Sequence, residues 1–123
     1  MARLRILVVD DERDVRELLV DMLEEDGHVT LEAADGAAAL AMLADGTPVD
    51  LVLTDVGMPR MTGWELARRI KARWPTVMIG VITGWGEDPQ GGGPEAQPAT
   101  FVLAKPFATQ KLRDALGRLR PRA

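Results

Sequence analysis

Ile6-Leu7-Val8-Val9-Asp10-Asp11 is the stretch that decides the fold of this chain. Four apolar residues run together without alternation and stop at two acids, the pattern of a short strand buried on both faces. Such a strand belongs in a parallel sheet with helices on either side. Downstream, Val15, Leu18, Leu19, Met22 and Leu23 recur at helical spacing, and Gly27 is a natural stop. Val29 to Ala33 reads as a second strand, followed by an Ala-rich helix over Gly36 to Ala44.

The same grammar then repeats. Asp50 to Thr54 is a third strand, ending in the acid Asp55. After a loop containing Pro59, Thr62 and Glu65 have the spacing of a capping box. The helix they open places Leu66, Ile70 and Trp74 on one face and stops before Pro75. Val77 to Ile82 is a fourth strand ending at Thr83, and Phe101 to Ala104 a fifth ending at Lys105. A last helix lines up Leu112, Leu116 and Leu119. Strands alternating with helices imply right-handed βαβ crossovers and a doubly wound α/β sheet. The expected order is the flavodoxin-like 2-1-3-4-5, although spacing alone does not dictate it. Residues 84–98 interrupt the pattern with five Gly and three Pro, so the fourth helix is expected to be short or irregular.

Composition bounds the function. The 123 residues suit a single domain over 1–123, with no output domain expected. Apolar residues make up 46% and charged residues 28%, an ordinary globular balance. A net charge of -4 argues against direct nucleic-acid binding, and the absence of cysteine excludes disulfides and thiolate metal sites. No apolar run approaches the roughly 20 residues that cross a bilayer, and no signal-peptide pattern is visible. A cytoplasmic protein without membrane insertion is the expectation.

In an open parallel sheet, ligands gather beyond the carboxyl ends of the strands. Asp10, Asp11, Asp55, Thr83 and Lys105 all follow strands, so the topology collects them at one rim. Taken singly, each has a plainer reading. An Asp after a strand serves as a turn or cap residue, with Asp11 placed to cap the first helix; Lys105 alone reads as a surface lysine, and Thr83 as a turn residue. Together they make a different object. Two like charges 4 Å apart cost about 4 kcal/mol at an effective dielectric of 20, so such acids protonate or recruit a cation. Oxygen ligands with open positions suit Mg²⁺, with Mn²⁺ able to substitute, while Lys105 and Thr83 suit phosphate oxygens. His28 and the tryptophans, Trp64, Trp74 and Trp85, read as structural or surface residues.

These residues resemble the receiver domain of two-component response regulators, of the chemotaxis-regulator-like single-domain type. The carriers are Asp10-Asp11, Asp55 within Leu53-Thr54-Asp55-Val56-Gly57-Met58-Pro59, Gly63, Thr83 and Lys105-Pro106-Phe107. The resemblance implies that Asp55 accepts a phosphoryl group from a histidine kinase or histidine phosphotransfer protein. Asp11, Asp55 and the carbonyl of Gly57 would hold Mg²⁺, with Asp10 acting through a water. Lys105 would pair with Asp55 and then with the phosphoryl oxygens, and Thr83 would bond the phosphoryl group after transfer. It further implies a cis Lys105–Pro106 bond, no enzymatic turnover beyond the domain's own phosphorylation and dephosphorylation, an unnamed downstream protein, and a monomer or weak dimer.

The chain also departs from that pattern. The family's switch aromatic lies three residues before the lysine, where Val102 stands; Phe101 should face the other side of the strand. Output through a surface spanning residues 84–102 is therefore expected, with Trp85 shielding the acyl phosphate. The alternatives are a receiver-like interaction module that signals without phosphorylation, a flavin protein and an aspartyl phosphatase. Asp10-Asp11-Glu12 would repel a flavin phosphate, and Gly57 stands where the phosphatase would carry an acid.

Overall fold

A computed structural model describes residues 3–84, 99–105 and 109–119. The expectations for residues 85–98, Trp85 among them, for the Lys105–Pro106 bond and for Phe107 lie outside the described residues. In chain order the elements are β1 (Arg5–Val9), α1 (Arg13–Glu25), β2 (Val29–Ala33), α2 (Gly36–Ala44) and β3 (Leu51–Asp55). They are followed by α3 (Gly63–Arg73), β4 (Met78–Thr83), β5 (Phe101–Ala104) and α4 (Thr109–Gly117). All five strands are parallel, in the order β2-β1-β3-β4-β5. The α/β fold expected from the alternation and the flavodoxin-like strand order are those observed.

Strand alternation divides the core into two layers. Ile6 and Val8 of β1, with Leu51 and Leu53 of β3, face Leu19 and Leu23 of α1 and Leu112 and Leu116 of α4. Leu7, Val9, Val52, Ile79 and Val81 face the opposite way, onto Leu43 of α2 and Leu66 and Ile70 of α3. Both faces are therefore covered, which is why these strands are continuous apolar runs. Leu18 is the exception in its helix pattern: it is 61% exposed.

Local signals set the helix ends. Asp35 caps α2 by accepting from Ala38 N–H at 2.7 Å. Thr62 caps α3 by accepting from Glu65 N–H at 3.2 Å, while the Glu65 carboxylate pairs with Arg69. Lys71 donates to the carbonyls of Pro75 and Val77, closing the turn into β4. Trp74 caps the end of α3 and packs at the edge of the layer that holds Leu66 and Ile70, and the Arg73 guanidinium lies 4.5 Å from its ring centroid. Buried His28 accepts the Leu4 N–H on Nδ1 at 3.1 Å, tying the start of β1 to β2.

β5 carries the departure noted in the sequence. Phe101 packs on the α1/α4 layer and its ring covers Gly80 of the neighbouring strand, where an added Cβ would lie 2.3 Å from a ring carbon. Val102 points to the other face and is 40% exposed. Among the described residues, no helix is long and apolar enough to cross a membrane.

Candidate functional site

Four strand ends build the site. β1 ends at Val9, and Asp10 follows with its N–H on the Ala33 carbonyl. Asp10 is buried, and its Oδ1 accepts the Glu12 N–H at 2.9 Å. The cap expected from Asp11 is not made: Glu12 holds the N-cap position of α1 without a side-chain bond, and Asp11 points its exposed carboxylate elsewhere. The tight turn gives Asp10 the backbone-binding role, which frees Asp11.

Asp55 is the last residue of β3 and is buried. Thr54 Oγ1 donates to the Asp55 carbonyl at 3.0 Å, and Val56 N–H bonds the Ile82 carbonyl. The loop then folds back through Met58 N–H to Val56 O and Gly63 N–H to Val56 O, with Arg60 turning at a left-handed φ of 70°. Gly63 is required by space: a Cβ there would stand 2.2 Å from the Asp55 carbonyl oxygen.

Carboxylate oxygens of Asp10, Asp11 and Asp55 lie within 4.8 Å of one another. Lys105 Nζ lies 3.2 Å from Asp55 Oδ1. The contact is Coulombic, because Oδ1 is buried and has no hydrogen-bond partner among the described residues. Thr83 ends β4, buried, with its carbonyl accepting Lys105 N–H at 2.7 Å; that bond brings the β5 end alongside the acids. Gly57 is exposed in the loop two residues past Asp55. Burial raises the Asp10 carboxyl above its ordinary value; the Glu12 N–H opposes this, Asp55 and Asp11 add to it, and Lys105 opposes it. An acidic triad with a buried oxygen that lacks a donor fits a hard divalent cation, which takes carboxylate oxygens.

A sequence profile of the response regulator receiver domain matches residues 6–117. The chain belongs to that family. This receiver domain is 33% identical over 117 residues to sporulation initiation phosphotransferase F of Bacillus subtilis (strain 168), covering 95% of this chain and 94% of that protein. It is 37% identical over 115 residues to the response regulator receiver protein CpdR of Brucella abortus (strain 2308), covering 94% and 92%. Its fold matches the chemotaxis protein CheY4 of Vibrio cholerae with a TM-score of 0.81 at 30% identity, covering 97% of this chain and 100% of that one. It is a signalling protein of the two-component type.

One side chain at the site escaped sequence reasoning. Arg16 Nη1 donates to the Asp10 carbonyl at 2.9 Å, and its Nε donates to Glu32 Oε1 at 2.9 Å. The signal was present: Arg16, Leu19 and Leu23 share i, i+3, i+7 spacing, so this cation lies on the buried stripe of α1. A second unforeseen feature is an apolar groove of about 560 Å³ that reaches Lys105. Val15, Leu18, Leu19 and Met22 line it, with Lys105 and Thr109 at its margin.

Proposed function

We propose that Asp55 is the phosphoacceptor of this receiver domain and that a sensor histidine kinase or histidine phosphotransfer protein is the donor. An Asp55 carboxylate oxygen attacks the phosphorus of a phosphohistidine. The P–N bond breaks, and its electron pair stays on the imidazole nitrogen. Asp11, Asp55 and the Gly57 carbonyl would hold Mg²⁺ or Mn²⁺, with Asp10 linked through a water; when bound, the ion offsets charge on the phosphoryl oxygens. Lys105 pairs with Asp55 before transfer and with the phosphoryl oxygens after it, and Thr83 offers a hydroxyl to the product.

A single observation carries this reading: the buried Asp55 Oδ1, without a hydrogen-bond partner among the described residues, stands 3.2 Å from a lysine ammonium and beside two further carboxylates. A purely structural aspartate at this burial would have its lone pairs satisfied. The groove along α1 is where the donor's helices would seat, since it opens beside Lys105 and carries the exposed Leu18. Transfer adds about -1.5 to -2 charges at one point, and the response passes through the surface of residues 84–102 to a downstream protein. With Phe101 held over Gly80 and Val102 in the usual switch position, that response does not use a rotating aromatic. We take residues 1–123 as a single receiver unit working in the cytoplasm as a monomer or weak dimer, with no turnover of outside substrates.

The test is an intact mass after incubation with Mg²⁺ and acetyl phosphate. A gain of one phosphoryl group, absent in Asp55→Asn, is expected. No gain in the wild type would overturn the proposal and favour the altered output strand as part of a phosphorylation-independent interaction module.

A further inference from the structure

Arg16 stands outside the acidic cluster yet touches its backbone. The Arg16 side chain is only 15% exposed, and its guanidinium uses two nitrogens on two segments: Nη1 on the carbonyl of Asp10, and Nε on Glu32 in β2. The Asp10 carbonyl belongs to the peptide group that joins Asp10 to Asp11. Fixing that oxygen fixes the plane from which both side chains depart. Two other polar groups of Asp10 are also committed, its N–H to Ala33 O and its Oδ1 to Glu12 N–H, which leaves Oδ2 for the cluster.

We propose that Arg16, oriented by Glu32, is a positioning residue for the metal site, holding the Asp10–Asp11 peptide so that the two carboxylates converge with Asp55. This rests on the reading of those acids as the Mg²⁺ site. The fork geometry is essential: a guanidinium reaches two acceptors in one plane, whereas a lysine ammonium is a point charge on a flexible stem. Glu32 is half of the device because an unanchored Arg16 would spend rotamer freedom to reach the carbonyl. Side-chain and backbone partners of metal ligands commonly change metal affinity by about 10- to 100-fold when removed.

Isothermal titration with MgCl₂ on the unphosphorylated protein tests this, alongside urea unfolding of the same metal-free samples. Arg16→Met is expected to weaken Mg²⁺ binding about tenfold, and Arg16→Lys to recover little of it. Glu32→Gln, which keeps an oxygen acceptor for Nε, should stay within about twofold of wild type while Glu32→Leu falls toward Arg16→Met. In acetyl phosphate reactions the Arg16→Met defect should read mainly in the half-saturating Mg²⁺ concentration, not in the plateau rate. Wild-type Mg²⁺ affinity in Arg16→Met and Glu32→Leu would overturn the positioning role alone. So would a loss that Glu32→Gln shares in full, or one that follows urea stability across the four variants. Failure of the wild type to bind Mg²⁺ would instead remove the metal site itself, and this inference with it.

Discussion

Lys105 Nζ stands 3.2 Å from Asp55 Oδ1, and that buried oxygen has no hydrogen-bond partner among the described residues. The lysine supplies charge without satisfying the acceptor. Its side chain is 37% exposed, so solvent screens much of the pair's contribution to folding. Lys105→Met should therefore alter urea stability by less than about 1 kcal/mol. Its phosphorylation by acetyl phosphate at saturating Mg²⁺ should slow by about 100-fold, as when a preorganised charge-stabilising donor is removed. A time course of intact mass checks this, and wild-type kinetics would refute it.

Leu18 separates the partner from the chemistry. It is 61% exposed on α1, at the apolar groove beside Lys105, and contributes little to the core. Leu18→Glu should leave acetyl phosphate labelling unchanged while slowing transfer from the phosphorylated donor protein by about tenfold. Equal slowing with both donors would place Leu18 in the fold or the chemistry, not in docking.

Gly63 is a matter of space. A Cβ would meet the Asp55 carbonyl oxygen at 2.2 Å and its carbon at 2.9 Å, and backbone atoms cannot step aside cheaply. Gly63→Ala should cost about 3 kcal/mol in urea unfolding and reduce Asp55 labelling, because relief of the clash moves the end of β3. Gly117→Ala is the control, since nothing lies within 4 Å of a Cβ there. Its stability should be equal or slightly raised.

His28 gives the protein a pH-dependent term. Burial lowers its pKa below the ordinary 6.5, with Asp26 opposing weakly, and Nδ1 must stay unprotonated to accept the Leu4 N–H. The unfolded chain takes up a proton near 6.5 while the folded one resists it. The contribution is therefore complete above pH 6.5 and is lost as pH falls toward the lower folded value. Wild type should lose stability between pH 7.5 and 5.5, with a smaller loss in His28→Asn, whose amide oxygen can replace Nδ1. Parallel curves for the two would exclude His28 as the source. Asp10, raised by burial, acts with the opposite sign at lower pH and is common to both proteins.

Much of this architecture was readable beforehand, for identifiable reasons. β2, α2 and β5 begin and end where alternation and helical spacing place them. β3 and β4 each sit one residue later than the apolar runs suggest, because Asp55 and Thr83 still pair across the sheet, Asp55 opposite Ile82 and Thr83 opposite Ala104. Apolar patterning marks where a strand is buried, but the ladder of backbone bonds continues into polar residues. The Asp11 cap failed because the turn after β1 is tight enough for Asp10 to take the Glu12 N–H itself. Trp74 is the C-cap, where α3 ends ahead of Pro75, and still packs against the layer that holds Leu66 and Ile70.

Sequence alone determined the layers and the rim. Two-sided burial needs continuous apolar strands, and acids that end such strands have to lie at one edge of a parallel sheet. Side-chain contacts between elements distant in sequence were decided only by the tertiary structure. Examples are Arg16 on the Asp10 carbonyl and Glu32, Phe101 over Gly80, the Cβ-free approach of Gly63 to Asp55, and Lys105 at the buried Asp55 oxygen. Periodicity specifies which face a residue occupies. Distances of two or three ångströms between faces follow from strand register and helix placement, which one chain's pattern does not contain.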